Sequence, residues 1–326
     1  MAQIKRVALL TSGGDSPGMN AAIRAVVRKA LSENIEVFGV IRGYEGLIKG
    51  DFVPMVSKSV ANIVQTGGTI LKTARSEYFK TKEGMQEAYN KLKENEIDSL
   101  IVIGGDGTLR GARALVEEFN FPVIGIPGTI DNDLYGTDMT IGYDTALNTI
   151  MDAVDKIRDT AMSHDRMFFV EVMGRDAGFI ALRSCISCGA EATIIPEVET
   201  DIKALHEKLL GYMNKKKTSS IIIVAEGDDA GGAFSIKEKL QEFGDQFDMK
   251  VTVLGHTQRG GSPSAYDRYL ASRLGIAAIE ALLDDQRSIM VGMMNNEIVH
   301  VPFNKTIKHH RSIDQKMLEI IDILNT

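Results

Sequence analysis

Apolar residues fall along the chain in short, nearly continuous runs separated by segments with helical spacing. The runs Arg6–Leu10, Val37–Ile41, Leu100–Ile103, Val123–Ile126, Phe168–Val172, Thr193–Ile195, Ile221–Ala225 and Val251–Leu254 are strand-length and rich in β-branched side chains. Runs without alternation predict strands buried on both faces. Between them, Gly18–Leu31, Gly84–Lys93, Tyr143–Ala161, Lys203–Tyr212 and Asp267–Leu283 have helical length and periodicity. Strand–helix alternation of this kind predicts an α/β fold with mainly parallel sheets built from right-handed βαβ units. In such sheets ligands bind where loops leave the carboxyl ends of strands.

Glycine- and acid-rich loops occupy those exits. The apolar run Ser99–Val102 leads into Ile103-Gly104-Gly105-Asp106-Gly107-Thr108, followed by a helix-compatible segment from Leu109. Glycines let backbone amides approach a polyphosphate, and a following helix adds the positive end of its dipole. A carboxylate there would repel phosphates, so Asp106 fits chiefly as a hard oxygen ligand for Mg²⁺. Thr11-Ser12-Gly13-Gly14-Asp15-Ser16-Pro17-Gly18 is a second such loop, with Pro17 placed to open a helix. Neither loop has the GxxxxGK(S/T) pattern, and Gly111 falls one residue late for GxGxxG after Gly105 and Gly107. A dinucleotide-dependent dehydrogenase is thereby disfavoured.

Pro127-Gly128-Thr129-Ile130-Asp131-Asn132-Asp133 follows the next strand. In an extended loop Asp131 and Asp133 would point the same way, about 6–7 Å apart. One could take a proton from a substrate hydroxyl while the other orients water around a metal, with Thr129 donating to a transferring phosphoryl group. An Asx-rich helix-capping turn is the plainer alternative. Gly255-His256-Thr257-Gln258-Arg259-Gly260-Gly261 gathers donors suited to a phosphate monoester. Met173-Gly174-Arg175 and Glu226 stand at two further strand exits, and Arg24 and Arg28 share one helix face.

Bulk properties narrow the class. The 326 residues suggest about two domains, and the net charge of −7 argues against a nucleic-acid binder. The longest basic run is Lys215-Lys216-Lys217, no apolar stretch is long enough to span a bilayer, and Lys5 and Arg6 break any signal-peptide pattern. A cytoplasmic location is expected. Cys185 and Cys188 form a lone CxxC without the second pair that a structural zinc site needs, and read as small thiols on a helix. His309-His310 lacks a third ligand nearby in sequence.

Taken together and in order, the loops at 13–20, 104–107, 127–133, 173–175 and 256–261 resemble bacterial ATP-dependent 6-phosphofructokinases over essentially the whole chain. The resemblance implies two similar Rossmann-like three-layer α/β/α domains with the active site in the cleft between them. Residues 1–142 with about 256–304 would form an ATP-binding domain, and 143–255 with about 305–326 a fructose 6-phosphate domain. It further implies Asp131 as general base on the sugar 1-hydroxyl, Asp106 holding Mg²⁺ with Asp133 assisting, and Thr129, Gly14 and Arg175 stabilising the transferring phosphoryl group. ATP would lie along Gly14, Tyr44, Arg75, Ser76, Gly105, Asp106, Gly107 and Thr108. The sugar phosphate would meet Thr129, Ile130, Asp131, Met173, Gly174, Arg175, Glu226, His256 and Arg259, with Arg166 and Lys250 from a neighbouring subunit of a homotetramer.

Pyrophosphate-using relatives carry Asp in place of Gly107 and Lys in place of Gly128. These two glycines are expected to leave room for ATP as donor. Lys250 replaces the usual Arg, which keeps charge but loses the bidentate fork. An effector pocket for ADP or phosphoenolpyruvate would use Arg24, Arg28, Arg158, Gly189, Ala190, Glu191, Lys215 and Lys217. Ser57 and Asn62 stand where that pattern has Arg and Asp, so a weak effector response is expected. The rival readings are a related kinase for another alcohol, such as NAD, and a non-catalytic nucleotide sensor. Both carboxylates of the 127–133 loop are present, which disfavours the sensor.

Overall fold

The computed structural model describes residues 4–214, 220–244, 246–308 and 312–325. In chain order the elements are β1 (Arg6–Thr11), α1 (Met19–Ser32), β2 (Glu36–Val40), α2 (Gly43–Lys49), β3 (Phe52–Met55), α3 (Lys82–Glu94), β4 (Ser99–Gly104), α4 (Asp106–Phe119), β5 (Val123–Pro127), α5 (Tyr143–His164) and β6 (Met167–Val172). They continue with α6 (Phe179–Cys188), β7 (Ala192–Ile194), α7 (Ile202–Asn214), β8 (Ser220–Ala225), α8 (Gly232–Gln241), β9 (Met249–Val253), α9 (Ala265–Leu283), β10 (Ile289–Met294), β11 (Glu297–Pro302), α10 (Phe303–Lys308) and α11 (Lys316–Leu324). His309, His310 and the Lys215–Lys217 triplet lie outside the described residues.

The chain divides into two compact units. The first comprises Met1–Ile130, Leu134–Thr145 and Arg259–Arg311; the second comprises Asp131–Asp133, Ala146–Gln258 and Ser312–Thr326. The division falls at 145, 258 and 311, three to seven residues beyond the bounds of 142, 255 and about 304 that the resemblance implied, and 131–133 falls in the second unit rather than the first.

Among the described residues the first unit holds a sheet ordered β11-β10-β5-β4-β1-β2-β3. Its interior pairings are parallel, and antiparallel pairs close both edges at β2–β3 and β10–β11. Alternate residues of β1 and β4 feed opposite cores. Val7, Leu9, Ile101 and Ile103 join one cluster with α1 and α9. Ala8, Leu10, Leu100 and Val102 join another with α2, α3 and α4. A strand covered on both faces must be apolar at every position, which is why these runs do not alternate. The second unit has a wholly parallel sheet ordered β7-β8-β6-β9. One face is covered by α7 and α8 through Leu209, Ala233, Ile236 and Leu240, while α6 lies against β7 and β8.

Both sheets contain a reversal of strand order. In the first, the chain steps from β1 to β2 on one side and places β4 on the other; in the second, β8 and β9 flank β6. Crevices at carboxyl ends open at such reversals. The loops leaving β1 and β4, and those leaving β6 and β9, are thus the favoured ligand positions.

A buried carboxylate fixes the start of α9 in the first unit. Asp267 is fully buried and accepts from Gly142 N (2.8 Å), Thr145 N (2.8 Å) and Thr145 Oγ1 (2.5 Å). Burial pushes its carboxyl up to about 6 against the pull of those donors, so it is ionised at neutral pH. Asp267→Ala orphans two buried amides and is expected to cost about 3 kcal/mol, read as a lower denaturation midpoint at unchanged slope. An unchanged midpoint would show that water replaces the carboxylate without loss.

Candidate active site

In the first unit two glycine loops are tied together at the β1/β4 reversal. Ser12 N donates to Ile103 O (3.0 Å), and Thr108 Oγ1 donates to Ser12 O (3.0 Å). A Cβ at Gly104 would lie 2.3 Å from Thr108 Oγ1 and 2.5 Å from Ser12 O, so only glycine permits this approach. Helix α4 starts at Asp106 with Gly105 as its N-cap; Thr108 N and Leu109 N donate to Gly105 O, which leaves the amides of Asp106 and Gly107 without acceptors inside the helix. The helix therefore begins three residues before the Leu109 expected from sequence, and Asp106 sits in its first turn. Asp106 Oδ2 pairs with Arg110 Nε at 2.7 Å, whereas Oδ1 is buried without a hydrogen-bond partner.

That orphaned oxygen fits a cation. Among the described residues no cluster of three or more His, Cys, Asp or Glu forms a cage. Mg²⁺ commonly needs only one or two carboxylates when substrate phosphates and water complete its shell. Asp106 meets this requirement.

Of the other residues assigned to ATP, Tyr44 supports the loop from within the fold. Tyr44 is buried, its hydroxyl donates to Thr108 O (2.7 Å), and its ring stacks on Phe79 at 4.0 Å. Burial raises its phenol far above the ordinary value. Ser76 Oγ donates to Glu45 Oε2 (2.8 Å), while Arg75 is exposed. Asn20, buried in the α1 first turn, donates to Thr66 O, Thr66 Oγ1 and Gly67 O and accepts from Ile70 N, stapling the segment that leads to Arg75. Arg259 donates to Asp15 O (3.2 Å), and a Cβ at Gly14 would lie 2.3 Å from its Nη1. The guanidinium thus lies over the first glycine loop.

The two glycines of the donor argument differ. A Cβ at Gly107 meets nothing within 4 Å, so that position is open. A Cβ at Gly128 would lie 2.9 Å from Ile103 Cγ2 and 3.2 Å from Met19 Cε. The expectation of open room at Gly128 is therefore corrected: glycine there permits close packing. Thr129 is buried, with its carbonyl accepting from Thr140 Oγ1 (2.7 Å).

In the second unit, Asp131 and Asn132 are buried and Asn132 has φ +54°. The segment 131–133 bends, which corrects the extended-loop premise for Asp131 and Asp133. Left-handed backbone at the middle residue removes the alternation on which that spacing rested. Ile130 is buried at the preceding bend, at the end of the first unit's segment.

The strand exits of the second unit are linked. Arg175 N donates to Glu226 Oε1 (3.0 Å), and Glu226 N donates to Val172 O (2.9 Å). Gly174 has φ +146° and Arg175 φ +55°, a sharp turn that leaves Arg175 exposed. Met173 is buried and His256 exposed. Asp248 receives both Arg166 Nε (2.7 Å) and Lys250 Nζ (2.8 Å), and these cations hold its carboxyl below the usual range, Lys250 contributing most.

Among the described residues assigned to an effector, Arg158, Gly189, Ala190 and Glu191 are committed to the fold. Arg158 Nη2 donates to Cys188 O (2.6 Å) and Gly189 O (3.1 Å), closing the carboxyl end of α6, where Gly189 has φ +59°. Ala190 and Glu191 are buried, and Glu191 Oε2 accepts from Ile221 N (2.5 Å). Arg24 is half-buried and Arg28 exposed on α1. Ser57 opens a 3₁₀ turn, and Asn62 has φ +57°, a conformation that Asn tolerates. Cys185 is buried and Cys188 half-buried on α6, and burial pushes their thiols up to about 12 and about 11. Such thiols are poor nucleophiles. Among the described residues no helix is long and apolar enough to cross a membrane.

Comparison with known proteins agrees with this picture. The family description Phosphofructokinase matches residues 6–282. The "ATP-dependent 6-phosphofructokinase 2" of Bacteroides thetaiotaomicron is 56% identical over 325 residues, covering 100% of both chains. The "ATP-dependent 6-phosphofructokinase 1" of Thermus thermophilus is 53% identical over 98% of this chain and 99% of its own. Phosphofructokinase from Saccharomyces cerevisiae superposes with TM-score 0.85 at 38% identity over 98% of this chain, which spans 47% of the yeast chain. A pyrophosphate-dependent phosphofructokinase from Marinobacter aquaeolei shares the fold, with TM-score 0.84 at 19% identity over 98% of this chain and 91% of its own. The chain belongs to the phosphofructokinase family.

Proposed function

We propose that this enzyme transfers the γ-phosphoryl group of ATP to the 1-hydroxyl of fructose 6-phosphate, releasing ADP and fructose 1,6-bisphosphate. The observation that carries this reading is the phosphate cradle at the start of α4, with open space at Gly107 and an orphaned Asp106 oxygen, in a chain similar over its full length to ATP-dependent 6-phosphofructokinases.

The chemistry follows from the residues. First-turn amides of α4 and the glycine loop at 13–14 hold the donor's phosphates. Asp106 would hold Mg²⁺, with Asp133 assisting; the ion would supply charge neutralisation on the phosphates. Asp131 accepts the proton of the sugar 1-hydroxyl while that hydroxyl's oxygen bonds to the γ-phosphorus and the bond from the phosphorus to the ADP oxygen breaks. Thr129 and Arg175 donate to the transferring group, and Gly14 keeps the loop close enough for its amide to do so. This is catalysis by positioning and charge stabilisation. Met173, Gly174, Glu226, His256 and Arg259 hold the sugar phosphate. Arg166 and Lys250 reach the site of a neighbouring subunit in a homotetramer, and the enzyme works in the cytoplasm.

The acceptor is tested by turnover with ATP and Mg²⁺ on fructose 6-phosphate against NAD and other alcohols. Fructose 6-phosphate is expected to be phosphorylated and NAD not; the reverse preference would overturn the assignment.

The effector pocket is proposed to persist but respond weakly. Ser57 and Asn62 remove one cation and one anion, and Arg158 and Glu191 are already engaged within the fold. Phosphoenolpyruvate should shift the half-saturating fructose 6-phosphate by less than about fivefold, below the usual range of allosteric coupling. A shift of about a hundredfold would refute this.

A further inference from the structure

The second unit's strand-order reversal places the exits of β6 and β9 side by side. One fully buried polar side chain joins them. Gln258, in the 3₁₀ turn Gly255–Arg259, accepts from Met173 N through Oε1 (3.2 Å) and donates from Nε2 to Gly255 O (3.0 Å). Both ends of the amide are therefore committed, and the two partners fix its orientation, since one is a donor and the other an acceptor.

We propose that Gln258 is a positioning residue for sugar-phosphate binding, setting the distance between the Met173–Arg175 turn and the His256 turn. Backbone pairing between the two exits runs as far as Leu254 N on Glu171 O (3.0 Å), short of both turns. Gly174 and Arg175 are in left-handed conformations, and Gly255 has φ +50°. Arg175 N is already spent on Glu226 Oε1, which ties β6 to β8 on the other side. Gln258 is the corresponding tie between β6 and β9. The amide itself is fully buried, so it acts through Met173 and, by way of Gly255, through His256. This inference rests on the assignment of those two residues to the sugar phosphate.

The test uses the full-length enzyme with three variants, each assayed for both substrates and for thermal stability. Gln258→Leu removes both hydrogen bonds at similar volume. It should raise the half-saturating fructose 6-phosphate about ten- to a hundredfold, as expected for displacement of binding groups by about 1 Å. The KM for ATP should stay within about threefold of native. Gln258→Glu supplies a rescue that a purely structural role would not show. Ionised, its carboxylate faces the Gly255 carbonyl without a proton to donate; neutral, it can donate there and still accept from Met173 N. Burial raises a carboxyl's tendency to be neutral, so the ratio of variant to native half-saturation should fall from pH 8 to pH 6. Taking the ratio at each pH cancels titration of the sugar phosphate. An unchanged fructose 6-phosphate response in Gln258→Leu, equal losses for both substrates, or a pH-independent ratio in Gln258→Glu would overturn the proposal. His256→Ala separates the two levels. If it leaves fructose 6-phosphate half-saturation unchanged, the sugar-phosphate assignment itself fails; if it raises it while Gln258→Leu does not, only the positioning role fails.

Discussion

Replacing Asp131 by serine is expected to lower kcat by about 10²- to 10⁴-fold while leaving both substrate KM values within about threefold of native. Asp131 is buried at 5% exposure, at a bend that follows β5. The serine side chain fits the space and keeps a polar group, but it cannot take up a proton at neutral pH. The sugar hydroxyl must then lose its proton to water, and only the transition state is affected. A loss of kcat at constant KM is the signature of such a group. A variant with near-native kcat would mean that another group carries the proton or that none is needed. A variant with native kcat but a raised KM for fructose 6-phosphate would make Asp131 a binding residue only.

The second large effect is expected at Gly107. It lies in the first turn of α4, where a Cβ has open space and where an acidic residue favours the helix dipole. Gly107→Asp should therefore fold at least as well as the native chain. The same carboxylate, about 4 Å from the donor's α-phosphate, would cost about 4 kcal/mol at an effective dielectric of about 20. That corresponds to about a thousandfold weaker ATP binding. Calorimetric titration with MgATP beside a thermal melt reads both quantities. An unchanged ATP affinity at native stability would place the α-phosphate away from residue 107. Gly128 offers no equally clean test, because a side chain there meets Ile103 and Met19 before any ligand.

The parallel core was legible because strands covered on both faces carry apolar residues without alternation, as in Leu100–Ile103 and Ile221–Ala225. The antiparallel margins of the first sheet were not. β3 contains Pro54, which is tolerated only where a strand needs no second neighbour, and this disguised it as a loop. The β10–β11 hairpin turns on Asn295 and Asn296, both at positive φ, a signal that could have found it. Loop chemistry showed which residues gather at strand exits, but not which are spent on the fold. Tyr44 under Thr108 and Arg158 on the α6 carbonyls look identical in sequence to groups awaiting a ligand. The left-handed Asn132 hid the bend between Asp131 and Asp133, because a tripeptide of short polar residues allows either conformation. Supporting side chains such as Asn20 and Asp267 are also hidden, since their partners lie 46 and 122 residues away in sequence.

The most direct test is steady-state turnover of the native enzyme with fructose 6-phosphate and Mg²⁺, comparing ATP with pyrophosphate as donor and identifying the sugar product. Formation of fructose 1,6-bisphosphate with ATP, one ADP per product, and none with pyrophosphate is the predicted result. Turnover with pyrophosphate instead of ATP, or no product with either, would contradict it.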